Sequence, residues 1–305
     1  MAVDLSVEIA GVRLANPILA SSGTFGYGLE FAHLVDLNRL GGLVVKGLSL
    51  EPMEGAPAPR ICETPAGMLN AIGLQNVGVR AFVAEKLPKL RKYRTAVVAN
   101  VFGTTIEEYC EVLRILEDAE GLAAYELNIS CPNVTRGGMQ FGSDPALAAE
   151  VGVAARRAVT KRPLWVKLSP LVADIGGMAR VVADAGADAL TIANTYPAMC
   201  LDATTRRSRI ASPTGGLSGP GIRPITVRLV YEASKAVKIP ILGLGGIEKA
   251  DDVLEYFLAG ASAVQVGTAH FADPRASERL VSELERRCRE LNINKLNEIR
   301  SGFRP

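Results

Sequence analysis

Cysteine is scarce and scattered in this chain: Cys62, Cys110, Cys131, Cys200 and Cys288 are odd in number, far apart and without any Cys-x-x-Cys pair. That argues against a disulfide framework and against a zinc or iron–sulfur site on this chain. Histidine is scarcer still. His33 and His270 are the two present, and neither lies in a recognisable nucleophile motif, which disfavours a Cys/His hydrolase. Net charge is close to nil, +2 over 305 residues, so there is no electrostatic footprint for nucleic acid or for an anionic membrane surface. No apolar run is long enough to cross a bilayer, and Met1-Ala2-Val3-Asp4-Leu5-Ser6 lacks the basic and apolar regions of a leader; a cytoplasmic location is expected. Linkers, polar low-complexity runs and charge blocks are also missing, which favours a single domain over residues 1–305.

What is present is a series of short apolar segments with helical stretches between them, the pattern of repeated βα units and a parallel sheet. Strands are expected at about Pro17–Ala20, Leu43–Val45, Ala96–Ala99, Ala124–Leu127, Leu164–Val166, Ala189–Ile192, Ile241–Leu244 and Ala263–Val266. Eight such units predict an α/β fold of the (β/α)8 barrel type. Thr105 followed by acids, and Asp144 followed by Pro145, offer helix starts; Val253, Leu254, Phe257 and Leu258 form an apolar stripe ended by Gly260. Val3, Leu5, Val7 and Ile9 alternate with polar residues before Gly11, which predicts an N-terminal hairpin capping the barrel bottom.

The residues that follow the strands are almost all polar or glycine: Ser21-Ser22, Lys46-Gly47, Asn100, Asn128, Lys167, Asn194-Thr195, Gly245-Gly246 and Gly267-Thr268. Singly, each reads as a turn residue. Together they occupy the rim on which barrels of this kind carry their sites. The two glycine pairs after strands seven and eight match the usual phosphate site of the fold, with Thr268 adding a hydroxyl. Lys46 and Lys167 each follow an apolar run, and buried ammonium groups there call for anionic partners such as a reduced isoalloxazine ring or a substrate carboxylate.

Asn128-Ile129-Ser130-Cys131-Pro132-Asn133 falls where the fourth strand ends. Pro132 holds Cys131 out of helical geometry. For a lone cysteine a buried structural thiol is the ordinary reading, but two flanking amides favour a thiol presented to a small polar substrate. Two connections are too long for simple βα loops, Ser49 to Asn76 and Tyr196 to Pro220. The first, rich in proline, is expected to be a rigid wall contributing Asn70. The second, with Gly215-Gly216 and Gly219, is expected to be a mobile lid with glycine hinges.

Taken in order, Ser21-Ser22-Gly23-Thr24-Phe25-Gly26, Asn70-Ala71-Ile72-Gly73-Leu74-Gln75-Asn76, Asn128 to Asn133, Val166-Lys167-Leu168-Ser169-Pro170, Gly215 to Pro220, Gly245-Gly246-Ile247 and Val266-Gly267-Thr268-Ala269 resemble class 1 dihydroorotate dehydrogenase over nearly the whole chain. Asn133-Val134-Thr135-Arg136-Gly137-Gly138 is similar to the NAD-linked 1B subgroup rather than the fumarate-using 1A subgroup. The resemblance implies one FMN per chain and oxidation of dihydroorotate to orotate in de novo pyrimidine (UMP) synthesis. It makes Cys131 the base that removes the C5 proton; an ordinary thiol pKa of roughly 8.5 suits that role. It implies that Lys46, Asn70, Ala71, Ile72, Gly73, Leu74, Asn128, Asn194 and Thr195 meet the substrate. FMN would be held by Ser22, Lys46, Gly47, Asn100, Asn128, Lys167, Ala193, Gly219, Gly245, Gly246, Gly267 and Thr268, without a metal.

The same resemblance implies a partner subunit carrying FAD and a [2Fe–2S] cluster, and a homodimer of this chain within a heterotetramer. This agrees with the lack of clustered cysteines and of a Gly-x-Gly-x-x-Gly fingerprint after a strand. Ala193-Asn194-Thr195-Tyr196-Pro197-Ala198-Met199 departs from the family's pattern, which tends to a bulkier aliphatic before the Asn and glycine before the Met. Rival readings are a dihydropyrimidine dehydrogenase-like reductase, for which uracil would replace orotate as ligand, and a non-catalytic barrel that binds a phosphate ligand and carries no flavin.

Overall fold

The computed structural model describes residues 3–130 and 141–304; Cys131 and the segment Asn133 to Gly138 lie outside the described residues. Eight parallel strands close into a barrel in chain order: β1 (Ile18–Ala20), β2 (Gly42–Val44), β3 (Ala96–Val101), β4 (Ala124–Asn128), β5 (Leu164–Lys167), β6 (Ala189–Ile192), β7 (Ile241–Leu244) and β8 (Ala263–Val266). Each pairs with its successor, and Val264 of β8 against Ile18 of β1 completes the ring. The strands read as unbroken apolar runs because helices cover them outside and packed side chains fill them inside. Val44, Val98, Leu127, Leu190 and Val264 are all buried completely.

The helix signals act as the sequence suggests. Thr105 accepts a hydrogen bond from the Glu108 amide at 3.2 Å and starts the helix Ile106–Glu117. Asp144 accepts from the amides of Ala146 at 2.7 Å and Leu147 at 3.2 Å ahead of Pro145–Ala158. Helix Ala250–Leu258 ends at Ala259, and Gly260 turns the chain at φ +112°. Val7–Ile9 and Val12–Leu14 form the expected hairpin around Gly11 and lead into β1 at its amino end. Among the described residues no helix is long and apolar enough to cross a membrane.

The two long connections are not separate devices. Ile61–Thr64, Gly67–Asn70, Gly215–Ser218 and Tyr196–Ala198 make one antiparallel sheet over the barrel rim, with Gly215–Ser218 paired on both sides. The second loop, expected as a lid with glycine hinges, supplies two strands of this sheet. Gly215 and Gly216 sit in the middle of a sheet, and close approach accounts for them: a Cβ on Gly216 would lie 2.1 Å from Thr195 Oγ1, and one on Gly215 2.6 Å from the Asn70 carbonyl oxygen.

Candidate active site

Between that sheet and the carboxyl ends of the strands lies a cavity of about 500 Å³, a size usual for small-molecule sites. Ser22, Lys46, Gly47, Asn70, Ala71, Ile72, Gly73, Leu74, Asn100, Asn128, Lys167, Ala193, Asn194, Thr195, Gly219, Gly245, Gly246, Gly267 and Thr268 all line it. Thus every candidate site residue named from the sequence reaches this one cavity, apart from Cys131, which the described residues exclude. The sequence placed Asn100, Asn128 and Lys167 after their strands; they are the inward-facing final residues of β3, β4 and β5 or lie one short of the end, so they sit deeper than a rim loop.

That difference in depth separates the two lysines. Lys167, a strand residue, is 5% exposed, whereas Lys46 follows the last residue of β2 by two positions and is partly exposed. The pair of buried ammonium groups expected from the sequence is one buried and one half-buried. Burial lowers the pKa of Lys167, and the nearby charge of Glu126 works against that fall. Among the described residues its ammonium makes one hydrogen bond, a long one to Ser22 Oγ at 3.5 Å. A buried ammonium so thinly partnered suits an acceptor-rich or anionic guest in the cavity.

The amides are held in set orientations. Asn128 Oδ1 accepts from Ser130 Oγ at 2.6 Å, and Ser130 Oγ in turn accepts from Asn194 Nδ2 at 2.8 Å. Asn194 Oδ1 takes the Thr195 amide at 2.8 Å. Among the described residues the Asn128 amino group has no hydrogen-bond partner, and Ser130 ties the amides of Asn128 on β4 and Asn194 beyond β6 together. Asn70 Nδ2 donates to the Gly216 carbonyl at 3.0 Å, which joins the two loops at the cavity wall.

After β7, Gly245 and Gly246 adopt φ +147° and +66° and line the same cavity. A Cβ on Gly246 would meet the Gly219 carbonyl oxygen at 2.7 Å, and one on Gly267 would meet Ser21 Oγ at 3.0 Å. Bare backbone therefore faces the cavity there, with Thr268 Oγ1 donating to Ser218 Oγ at 2.8 Å, so loop and rim sheet meet. Close amides and hydroxyls of this kind suit phosphate oxygens.

Sequence reasoning passed over Ser130, Ser218 and above all Glu126. Glu126 is fully buried. A charge inside Ala123-Ala124-Tyr125-Glu126-Leu127 was itself the signal, since acids are almost never buried without partners.

Residues 4–288 match the dihydroorotate dehydrogenase family. The chain belongs to that family. Among its relatives, a protein of Solibacter usitatus named putative dihydroorotate dehydrogenase A (fumarate) is 57% identical over 299 residues, 98% of each chain. Dihydroorotate dehydrogenase B (NAD(+)), catalytic subunit, of Pelobacter propionicus is 52% identical over 299 residues, again 98% of each chain. The protein of the same name from Thermodesulfovibrio yellowstonii is 50% identical over 300 residues, 98% of this chain and 99% of the relative. Family members of both electron-acceptor names thus align end to end with this barrel, and the cavity occupies the face on which such barrels work.

Proposed function

We propose that this dihydroorotate dehydrogenase family member is an FMN-dependent oxidoreductase that converts dihydroorotate to orotate in de novo pyrimidine synthesis. The observation that carries the reading is the buried ammonium of Lys167, with one long hydrogen bond among the described residues, on a cavity also lined by bare glycine backbone. That donor set fits a flavin mononucleotide: Lys167 and Asn100 would hold its ring, and Gly245, Gly246, Gly267 and Thr268 would hold its phosphate. Bound there, FMN supplies the acceptor for the hydride that leaves C6 of dihydroorotate.

The chain's own residues do the rest. Cys131 Sγ takes the C5 proton. Lys46 binds the substrate carboxylate, and Asn70, Asn128 and Asn194, with the 71–74 segment and Thr195, bind the ring amides and fix its orientation. The rim sheet excludes water above them. In this reading residues 1–305 form one FMN-binding domain, and the protein works in the cytoplasm as a homodimer joined to a FAD and [2Fe–2S] subunit that passes electrons to NAD⁺. Purified protein should be yellow, and anaerobic dihydroorotate should bleach it; a colourless protein that binds no FMN rejects the reading. Fumarate as acceptor is the second reading, favoured by the name of the 57% identical relative from Solibacter usitatus. Steady-state turnover with fumarate, compared with turnover with NAD⁺ and the partner subunit, separates the two.

A further inference from the structure

Beneath the cavity, Glu126 of β4 gathers side chains from across the barrel. One carboxylate oxygen accepts Asn100 Nδ2 of β3 at 2.7 Å. The other accepts Thr191 Oγ1 of β6 at 2.7 Å and, in a short contact, Gln265 Nε2 of β8. Gln265 Nε2 also reaches Thr191 Oγ1 at 3.2 Å. All three partners donate, so the group is used purely as an acceptor, which is the capacity of an ionised carboxylate. Glu126 does not line the cavity, whereas Asn100 and Lys167 do.

A fully buried carboxylate is costly, and neutral donors offset only part of the cost. Lys167 stands on the neighbouring strand opposite Asn128, two residues on from Glu126, so the two side chains share one face of the sheet, and the charge of Glu126 opposes the effect of burial on Lys167. Among the described residues the two make no direct salt bridge, and the Lys167 ammonium keeps its position at the cavity beside Ser22. Lys46, at the end of β2, lines the same cavity with the same sign of charge, and Cys131 follows β4 outside the described residues. Asn100, its amino group bound below, has its carbonyl oxygen on the Gly47 side of the cavity, 2.9 Å from where a Cβ of Gly47 would stand.

We propose that Glu126 is a positioning residue for the cofactor: from below the cavity it sets its carboxylate on the same sheet face as the Lys167 ammonium and fixes which way the Asn100 amide faces. The inference rests on the FMN reading of the cavity, and it concerns how two of the binding groups are prepared before any ligand arrives. A barrel plug with a packing role alone would need no charge at this place. An amide of the same shape would then serve equally well.

Glu126→Gln keeps the shape and removes the charge. Its FMN dissociation constant should rise about ten- to a hundredfold, the range of one charge-assisted hydrogen bond, and binding should weaken with rising pH sooner than in the parent. The decisive readout needs no flavin: the Lys167 Nζ resonance in 15N-lysine-labelled protein, assigned through Lys167→Met, should titrate at lower pH in Glu126→Gln than in the parent. An unmoved Nζ titration in a folded variant overturns the proposal, as does a neutral Lys167 at pH 7 in the parent. Should Glu126→Gln not fold, Lys167→Met decides, because it strands the carboxylate: its thermal midpoint should fall below the parent's, and an unmoved midpoint overturns the coupling. A protein that binds FMN and is bleached by dihydroorotate, yet shows an unmoved Nζ, sinks this inference alone. A protein that binds no FMN counts against the functional reading instead.

Discussion

Three single residues carry distinct expectations. Cys131→Ala should leave a folded, yellow protein whose flavin is bleached by dihydroorotate slower by roughly 10² to 10⁴, the span attributed to positioned acid–base groups; unchanged anaerobic stopped-flow reduction would remove Cys131 from the chemistry. Lys46→Ala should weaken orotate binding by about 1.5–3 kcal/mol, the worth of a hydrogen bond to a charged group, and titration of the flavin absorbance with orotate measures it. His270 bears on stability rather than on the reaction. It is 3% exposed, packs on Phe25 at 4.6 Å, and lies between the Gly267 carbonyl at 3.1 Å and Ser277 Oγ at 2.9 Å. Burial pushes its pKa down to about 4, against roughly 6.5 in an unfolded chain. Between those values the unfolded state binds the extra proton, so this contribution is complete above about pH 6.5 and is lost as pH falls toward 4. The amount is on the order of 3 kcal/mol. Urea unfolding at pH 7 and pH 5 should show it, and His270→Gln should have a shallower dependence over that window; an equal dependence in both proteins refutes it.

Among the elements, the rim sheet is the part whose role changed most between sequence and structure. Gly216→Ala puts a methyl group against Thr195, so the strand Gly215–Ser218 must move off the cavity wall. Overpacking of this kind costs about 1–3 kcal/mol. The thermal midpoint should fall and orotate should bind more weakly, since Asn70 donates to the Gly216 carbonyl across the same contact. Were the glycines hinges, the variant would instead keep its stability and orotate affinity and lose turnover rate; differential scanning fluorimetry with and without orotate tells the outcomes apart. The barrel strands and helix caps were legible because they are local: apolar runs, Thr105 with Glu108, Asp144 with Pro145. Pairing between Gly67–Asn70 and Gly215–Ser218 joins segments nearly 150 positions apart in the chain, and no local pattern in either one announces the other.

At the scale of the whole molecule, the isolated chain should be reduced by dihydroorotate and reoxidised by an artificial dye, but not by NAD⁺. A FAD and [2Fe–2S] subunit should restore NAD⁺ reduction, followed at 340 nm; efficient turnover of the isolated chain with fumarate would overturn the NAD-linked assignment and leave the dehydrogenase in place. The sequence by itself determined the eight strands, the rim residues that follow or end them, and the family, because a βα barrel repeats one local rule and brings each strand's end to one face. Which cavity residue is buried, and what it faces there, waited for the tertiary structure. Lys46 and Lys167 look alike as residues after apolar runs, yet only Lys167 is a strand residue sealed inside the barrel. Glu126 stands in its strand as an unexplained charge, and its meaning comes from Asn100, Thr191 and Gln265, donors supplied by three other strands. Electrostatic partnership depends on distance through space, and closure of the barrel is what sets that distance.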